Sequence, residues 1–470
     1  MKAGAAAVRI TPLPEHLEGP LYLGGYGGFQ SRRASGVHDD LWSRALAVAG
    51  GSGACVLAAL DLVGISHAHL DDIQRRASRA TGIPPERILI ACTHTHAGPD
   101  LQGLWGGVPA AYAAYLRTQA VRSIVQAVDA LEDVEAVAGR GEVTRLVRNR
   151  RGWDHTDPEV TVLRFCKPGG GAVATLVNFA CHAVVTTAEN RQVSCDFPRY
   201  LVDALESAGG GMAMFVNGAE GDANPTTQGG FEDARRMGDA AARIVLEALQ
   251  HAEPLSEPLS LRSRTVYIPL GTSGLPPAAR MLLTRGGPLL RVAARFGLLQ
   301  RLARRAAAKG GATPAQGAQT MAVLGVLSEQ GLVSRGGRPH APTRVAVLEM
   351  GPSTSSGHGP PASSSPEANP PGRAAVRPPP AEGHGPFLRG VAVPGEAVTR
   401  LGLPLKEALG SPYRLFLGLT YDTLGYLIPA DEWMNAPGDN YEESVSLGRQ
   451  AGPTVSAALM DLISRASRQT

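Results

Sequence analysis

Arg87-Ile88-Leu89-Ile90-Ala91-Cys92-Thr93-His94-Thr95-His96-Ala97-Gly98-Pro99 carries both the fold and the chemistry of this chain. Residues 87–92 predict a short buried strand, because five of the six are apolar or small and Pro84–Pro85 punctuate their start. Upstream, Ala54 to Leu60 is a second apolar run ending at Asp61, and Ser66 to Thr81 between the two has the pattern of an amphipathic helix. Strand, helix and strand in that order predict a β-α-β unit. The expected fold is therefore α/β, a mixed β-sheet core with flanking helices. Ligands of such sheets bind at the carboxyl ends of the strands. There stand Thr93, His94, Thr95 and His96, before Gly98–Pro99 break the run. In an extended strand side chains alternate, so His94 and His96 would share a face. Two such imidazoles could bind a metal together, or one could bind it while the other works beside it.

The same grammar recurs along the chain. Ala172 to Ala180 predicts a strand running into Cys181-His182, and Phe387 to Val393 a strand ending in Pro394-Gly395-Glu396. Met212 to Val216 leads into the polar loop Asn217 to Pro225, which holds Asp222 and Asn224. Tyr413 to Leu419 leads into a loop with Tyr421 and Tyr426. Two histidines and a carboxylate are a donor set of zinc hydrolases, in which one position stays open for water. Helices are expected over Ala110–Leu131, Arg199–Ser207 with Asp196 as N-cap, Phe231–His251 and Thr454–Ser467. Glycine-dense Leu23 to Gly28 has no P-loop lysine and suits a tight loop near a site. No internal repeat is visible.

The composition is globular, with 43% hydrophobic and 19% charged residues, and a net charge of +3 gives no reason to expect nucleic acid as a partner. The five cysteines are odd in number and lack C-x-x-C spacing, which suits reduced core residues. Arg9 interrupts the amino-terminal run of small residues, so no signal peptide is evident and a cytoplasmic location is expected. Residues 271–309 hold eight Arg or Lys and no acidic residue. Within them, 288–309 reads as a basic amphipathic helix, suited either to peripheral contact with an anionic membrane or to covering the site by its apolar face. Residues 351–386 are rich in Pro, Ser and Gly and read as a disordered insertion.

Thr93 to Pro99 resembles the T-H-T-H-S-G-P motif of the neutral/alkaline (non-lysosomal) ceramidase family. Further blocks agree in the same order: Gly36-Val37-His38-Asp39, Asn149-Arg150, Asn178 to His182, Ser194-Cys195-Asp196, Gly221 to Pro225, Val393 to Glu396, Gly425-Tyr426 and Tyr441-Glu442. The resemblance implies one catalytic domain over 1–470, with a basic helical insertion at about 271–340 and the disordered one at about 351–386. It also implies that the family's carboxy-terminal immunoglobulin-like domain is lacking. By position it implies Zn2+ held by His94, His182, Glu396 and Tyr426, with Tyr421 the alternative ligand tyrosine. His96, Arg150, Asn224 and Tyr441 would be catalytic, and Asp222 and Tyr421 would face the substrate. Asn224 stands where the family has a serine. An amide is no nucleophile, so the expected reaction is metal-dependent hydrolysis of an N-acyl amide, a ceramide-like lipid amide foremost. The alternatives are another amide or ester, or a non-catalytic membrane- or lipid-binding relative.

Overall fold

One arrangement of strands and helices is built three times in succession, although no sequence repeat announces it. The computed structural model describes residues 1–27, 30–255, 259–270, 332–336, 338–351 and 387–468. In the first unit β1 (Lys2–Arg9), β2 (Trp42–Gly50) and β3 (Gly53–Leu60) are antiparallel neighbours. Helix α1 (His67–Thr81) crosses over, β4 (Ile88–Cys92) lies parallel to β3, and α2 (Ala110–Asp129) follows. The second unit runs β5 (Glu135–Glu142), a short β6 (Val147–Asn149), β7 (Glu159–Cys166), β8 (Ala172–Phe179), α3 (Phe197–Ser207), β9 (Met212–Asn217), a short β10 (Ala223–Pro225) and α4 (Phe231–Gln250). Again β5, β7 and β8 are antiparallel neighbours, and β9 is parallel to β8. The third has β11 (Leu259–Pro269), β12 (Arg338–Met350), β13 (Leu388–Ala392), a short β14 (Glu396–Ala397), α5 (Thr399–Ala408), β15 (Tyr413–Leu417), a short β16 (Tyr426–Leu427), α6 (Tyr441–Ser444) and α7 (Ala451–Arg468). There β11, β12 and β13 are antiparallel neighbours and β15 is parallel to β13.

The expected β-α-β pattern and mixed sheet are thus present, three times over. The repetition lies in strand order and direction, which many apolar sequences satisfy, so a comparison of residues does not see it. The long hairpin of β11 and β12 was not anticipated, because its two strands flank residues 271–331. The range read as a helical insertion at about 271–340 ends instead in an antiparallel strand pair, Val333–Arg335 against Arg338–His340 at the start of β12, while residues 271–331, with 288–309, lie outside the described residues. So does the low-complexity reading of 351–386, apart from Gly351. Among the described residues no helix is long and apolar enough to cross a membrane.

Each sheet is covered on both faces, which explains the near-continuous apolar strands. Along β4, Ile88, Ile90 and Cys92 pack with Leu70, Ile73, Leu116 and Ile124 of the helices, whereas Leu89 and Ala91 face the other sheets. In β8, Val177 and Phe179 join the helix-side core and Ala174 and Leu176 the central one. At the centre the three sheets leave a cavity of about 60 Å3, lined by Leu57, Leu89, Leu163, Leu176, Leu348 and Leu415 among others.

Two asparagines join the units. Asn178 on β8 donates to the carbonyls of Val216 (2.8 Å) and Phe416 (2.9 Å) and accepts from the Phe416 amide (2.8 Å). Asn217, at the end of β9, donates to Cys181 O (2.8 Å) and accepts from Cys181 N (3.0 Å), while its own carbonyl accepts from Gly418 just past β15 (2.9 Å). The carboxyl ends of the parallel strands of different units are therefore brought to one place.

Candidate metal centre

His94 and His96 follow β4, His182 follows β8, Glu396 opens β14 and Tyr426 opens β16. Each lies past the carboxyl end of a parallel strand, where the alternation of a sheet gives way to loops. The two histidines of the first unit do meet, but not by strand alternation. Strand β4 stops at Cys92, and His94 has φ +66°, a left-handed conformation uncommon outside glycine. That turn is held because Thr93 N bonds Leu60 O (2.9 Å), His94 N bonds Leu62 O (2.9 Å) and His96 N bonds Ala183 O of the second unit (3.2 Å). Glu396 and Tyr426 are joined differently. They are opposite residues of the parallel pair β14/β16, reached by the excursion through α5 and β15.

The ligating atoms converge. The ring nitrogens of buried His94, His96 and His182 lie within 4.8 Å of one another, a grouping that could hold a metal ion. Glu396 Oε2 lies 3.3 Å from His94 Nε2 and 3.4 Å from His182 Nε2. His96 Nε2 is 3.2 Å from His94 Nε2. The other ring nitrogens set the tautomers. His94 Nδ1 bonds the Val63 carbonyl (2.6 Å) and His182 Nδ1 the Glu220 carbonyl (2.7 Å). A carbonyl only accepts, so each Nδ1 carries the proton, and in the neutral rings each Nε2 turns a lone pair toward Glu396. His182 Nε2 and Glu396 Oε2 are buried without a hydrogen-bond partner. Burial, with Arg150 nearby, pulls the His182 pKa down to about 4, so the ring is neutral at pH 7. Burial would raise the Glu396 carboxyl, and positive charge at His94 and His182 would hold it well below the usual range, a part left to a bound cation when both rings are neutral. Acceptors facing acceptors in a water-excluded place fit a shared cation.

A glycine loop closes one side. Tyr26 meets His96 edge to face at 4.7 Å between ring centroids, and the guanidinium of buried Arg32 lies 5.0 Å from the Tyr26 ring centroid. Arg32 also donates to the carbonyls of His96 (2.8 Å) and Gly24 (2.9 Å). Gly25 has φ +91°, and a Cβ there would stand 2.2 Å from the His96 ring. Gly25→Ala should therefore push the imidazole aside. In an enzyme working through His96, the expected result is a fall in kcat/KM of about a hundredfold with metal content near wild type, read by kinetics beside metal analysis. The tight loop expected from Leu23 to Gly28 thus lies at the site over Leu23–Gly27, and Gly28 is outside the described residues.

No family model matches the chain. A search of curated proteins finds neutral ceramidase of Pseudomonas aeruginosa, 28% identical over 206 residues, 37% of this chain and 30% of that enzyme. The matched stretch thus spans less than a third of the relative's length. The crystal structure of neutral ceramidase from Pseudomonas aeruginosa superposes with a TM-score of 0.70 at 17% identity, covering all of this chain and 74% of that one. The fold is that of neutral ceramidase. A ceramidase complexed with C2 gives a TM-score of 0.68 at 19% identity, over 100% of this chain and 75% of that one.

On the neutral ceramidase fold, the other residues singled out in the sequence divide. Arg150 reaches the site. It donates to the Tyr426 hydroxyl (2.8 Å) and the Gly221 carbonyl (2.9 Å) and pairs with Glu442 (2.9 Å). Tyr441, 48% exposed, sets its ring 6.4 Å from that of Tyr426 and forms an open edge of the site. Asn224 lies on β10 with its Oδ1 buried and unpartnered.

Asp222 and Tyr421 are placed otherwise than the resemblance implied. Asp222 accepts from the amide (2.7 Å) and hydroxyl (2.6 Å) of Thr399 and from Asn149 (2.7 Å), so both its oxygens serve the scaffold. Tyr421 packs in the central core and donates to the Glu86 carbonyl (2.8 Å), near the amino end of β4 and so opposite the histidines. A left-handed φ of +75° turns it away while Tyr426, five residues on, enters the site. Sequence reasoning missed the carbonyls of Val63 and Glu220, which as backbone groups leave no mark in residue identity. It also missed Tyr26 and Arg32, for which the glycine run beside them is the available signal.

Proposed function

We propose that this chain is a zinc-dependent hydrolase of N-acyl amides, with a ceramide-like lipid amide as the foremost substrate. The observation that carries the reading is the convergence of His94, His182 and Glu396, acceptor atoms turned toward one another inside the protein. Two imidazole nitrogens, a carboxylate oxygen and the phenol of Tyr426 are a donor set suited to zinc with a position left open. The likeness to neutral ceramidase supports hydrolysis of an amide on the same scaffold.

When bound, zinc would polarise the substrate carbonyl and acidify water. The chain's own residues supply the rest. The carbonyls of Val63 and Glu220 keep His94 and His182 in the tautomer that binds. Arg150 holds the Tyr426 hydroxyl and places positive charge beside the reacting carbonyl, where negative charge grows as water adds. Tyr441 at the open edge is placed to donate to the same oxygen. His96 is neutral at pH 7, since burial and the neighbouring imidazoles hold its pKa well below the usual value. It takes a proton from the water and returns it to the departing amine at Nε2. The C–N bond breaks, and a carboxylic acid and an amine leave.

A second reading keeps the ion and acts on another amide or an ester; Asn224, an amide where the ceramidase family has a serine, favours it. A panel of N-acyl sphingosines, short N-acyl amines and carboxylic esters, assayed after chelation and after return of zinc, tests both. Zinc-restored cleavage strongest on long-chain N-acyl sphingosines is expected. Zinc-restored cleavage confined to esters or short amides would select the second reading, and turnover unaffected by chelation would reject both.

A further inference from the structure

Arg151 is fully buried, and three carboxylates close on it. Its Nε donates to Glu432 (2.8 Å), and its terminal nitrogens donate to Glu442 (2.5 Å) and Glu443 (2.8 Å). These glutamates are themselves buried and belong to the segment between β16 and α7. The segment is fixed to the same place by other bonds. Trp153 donates to Glu432 (3.1 Å), Gly438 N bonds the Arg151 carbonyl (2.8 Å), and Met434 N bonds Glu443 (3.0 Å). Glu442 is shared: one oxygen pairs with Arg151 and the other with Arg150 (2.9 Å), whose guanidinium holds the Tyr426 hydroxyl. Tyr441, the open edge of the site, is the neighbour of Glu442.

We propose that Arg151 is a positioning residue that seats segment 430–446 and, through the shared Glu442, aims Arg150 at Tyr426. The role needs a guanidinium. A planar fork with five donors can serve three carboxylates at once, whereas an ammonium on a flexible stem cannot hold the same three directions. Neither Arg151 nor its glutamates reach the converged histidines, so Arg151 acts through Arg150 and Tyr441. The effect on turnover rests on the proposed amide hydrolysis; the seating does not.

The test combines amide hydrogen exchange, zinc content and kinetics on the zinc-loaded full chain. Arg151→Lys should keep the zinc, speed exchange across 430–446, and lower kcat about tenfold with KM within about twofold, because alignment rather than binding is lost. Glu442→Gln leaves Glu432 and Glu443 on Arg151. It should lower kcat similarly with exchange across 430–446 unchanged, and it serves also if the lysine variant does not fold. Unchanged exchange in Arg151→Lys overturns the seating, and unchanged kcat in Glu442→Gln overturns the link to Arg150. A wild type that cleaves no N-acyl amide would remove the proposed reaction, while the exchange result would still decide whether Arg151 seats the segment.

Discussion

His94→Ala and Glu396→Ala should each strip the chain of tightly held zinc and lower kcat/KM on an N-acyl amide by about a thousandfold or more. Among the described residues, Glu396 is the one carboxylate whose oxygen stands within 3.4 Å of both His94 Nε2 and His182 Nε2. Its removal leaves two neutral nitrogens and a phenol to hold a divalent ion. His94→Ala leaves the carboxylate but only one of its two nearest imidazoles. A readout independent of turnover is thermal unfolding with and without added zinc. An ion that binds only the folded state stabilises it by about 4 kcal/mol at a thousandfold excess over its Kd. The wild type should show that upward shift in Tm, and both variants should lack it. Glu396→Gln should behave like the alanine variant, since it keeps the size and removes the charge. Zinc content, thermal shift and amidase activity surviving together in the variants would end the assignment.

Asn178→Leu should cost about 3–5 kcal/mol of stability, although the residue is not among the proposed ligands. Its amide satisfies the Phe416 N–H and the Val216 carbonyl and shares the Phe416 carbonyl with Gly418 N (3.2 Å), in a buried place between two sheets. Leucine fills a similar volume and satisfies none of them. Each buried backbone group left without a partner costs about 1–3 kcal/mol. The expected reading is a lower midpoint of urea unfolding with little change in slope. Asn178→Asp keeps the acceptor for Phe416 N and loses both donations, so it should also destabilise. Phe416 lies on β15, the strand that leads toward Tyr426, so weaker zinc binding should accompany the loss. A cost below about 1 kcal/mol would show that the units are held together without this side chain.

Strands and helices whose burial follows a short local period were legible, as β3, α1 and β4 show: apolar runs of Gly53–Leu60 and Ile88–Cys92 flank a helix with one apolar face. Asp196 could be read as an N-cap because the cap sits beside its helix, and its side chain does accept from Phe197 N (2.7 Å). The hairpin of β11 and β12 escaped because its strands are far apart in the chain. Tyr421 and Tyr426 were indistinguishable as phenols past one strand, and a single backbone turn separates the core residue from the one beside Glu396.

Residue order alone was therefore sufficient for an α/β chain with ionisable side chains past its strand ends, because hydrophobic period and strand punctuation are local properties. It could not supply the threefold arrangement, the left-handed turn at His94, the carbonyls of Val63 and Glu220, or the buried carboxylates around Arg151. Those depend on backbone groups and on contacts between segments from about thirty to nearly three hundred residues apart, which exist only once the three sheets have packed against one another.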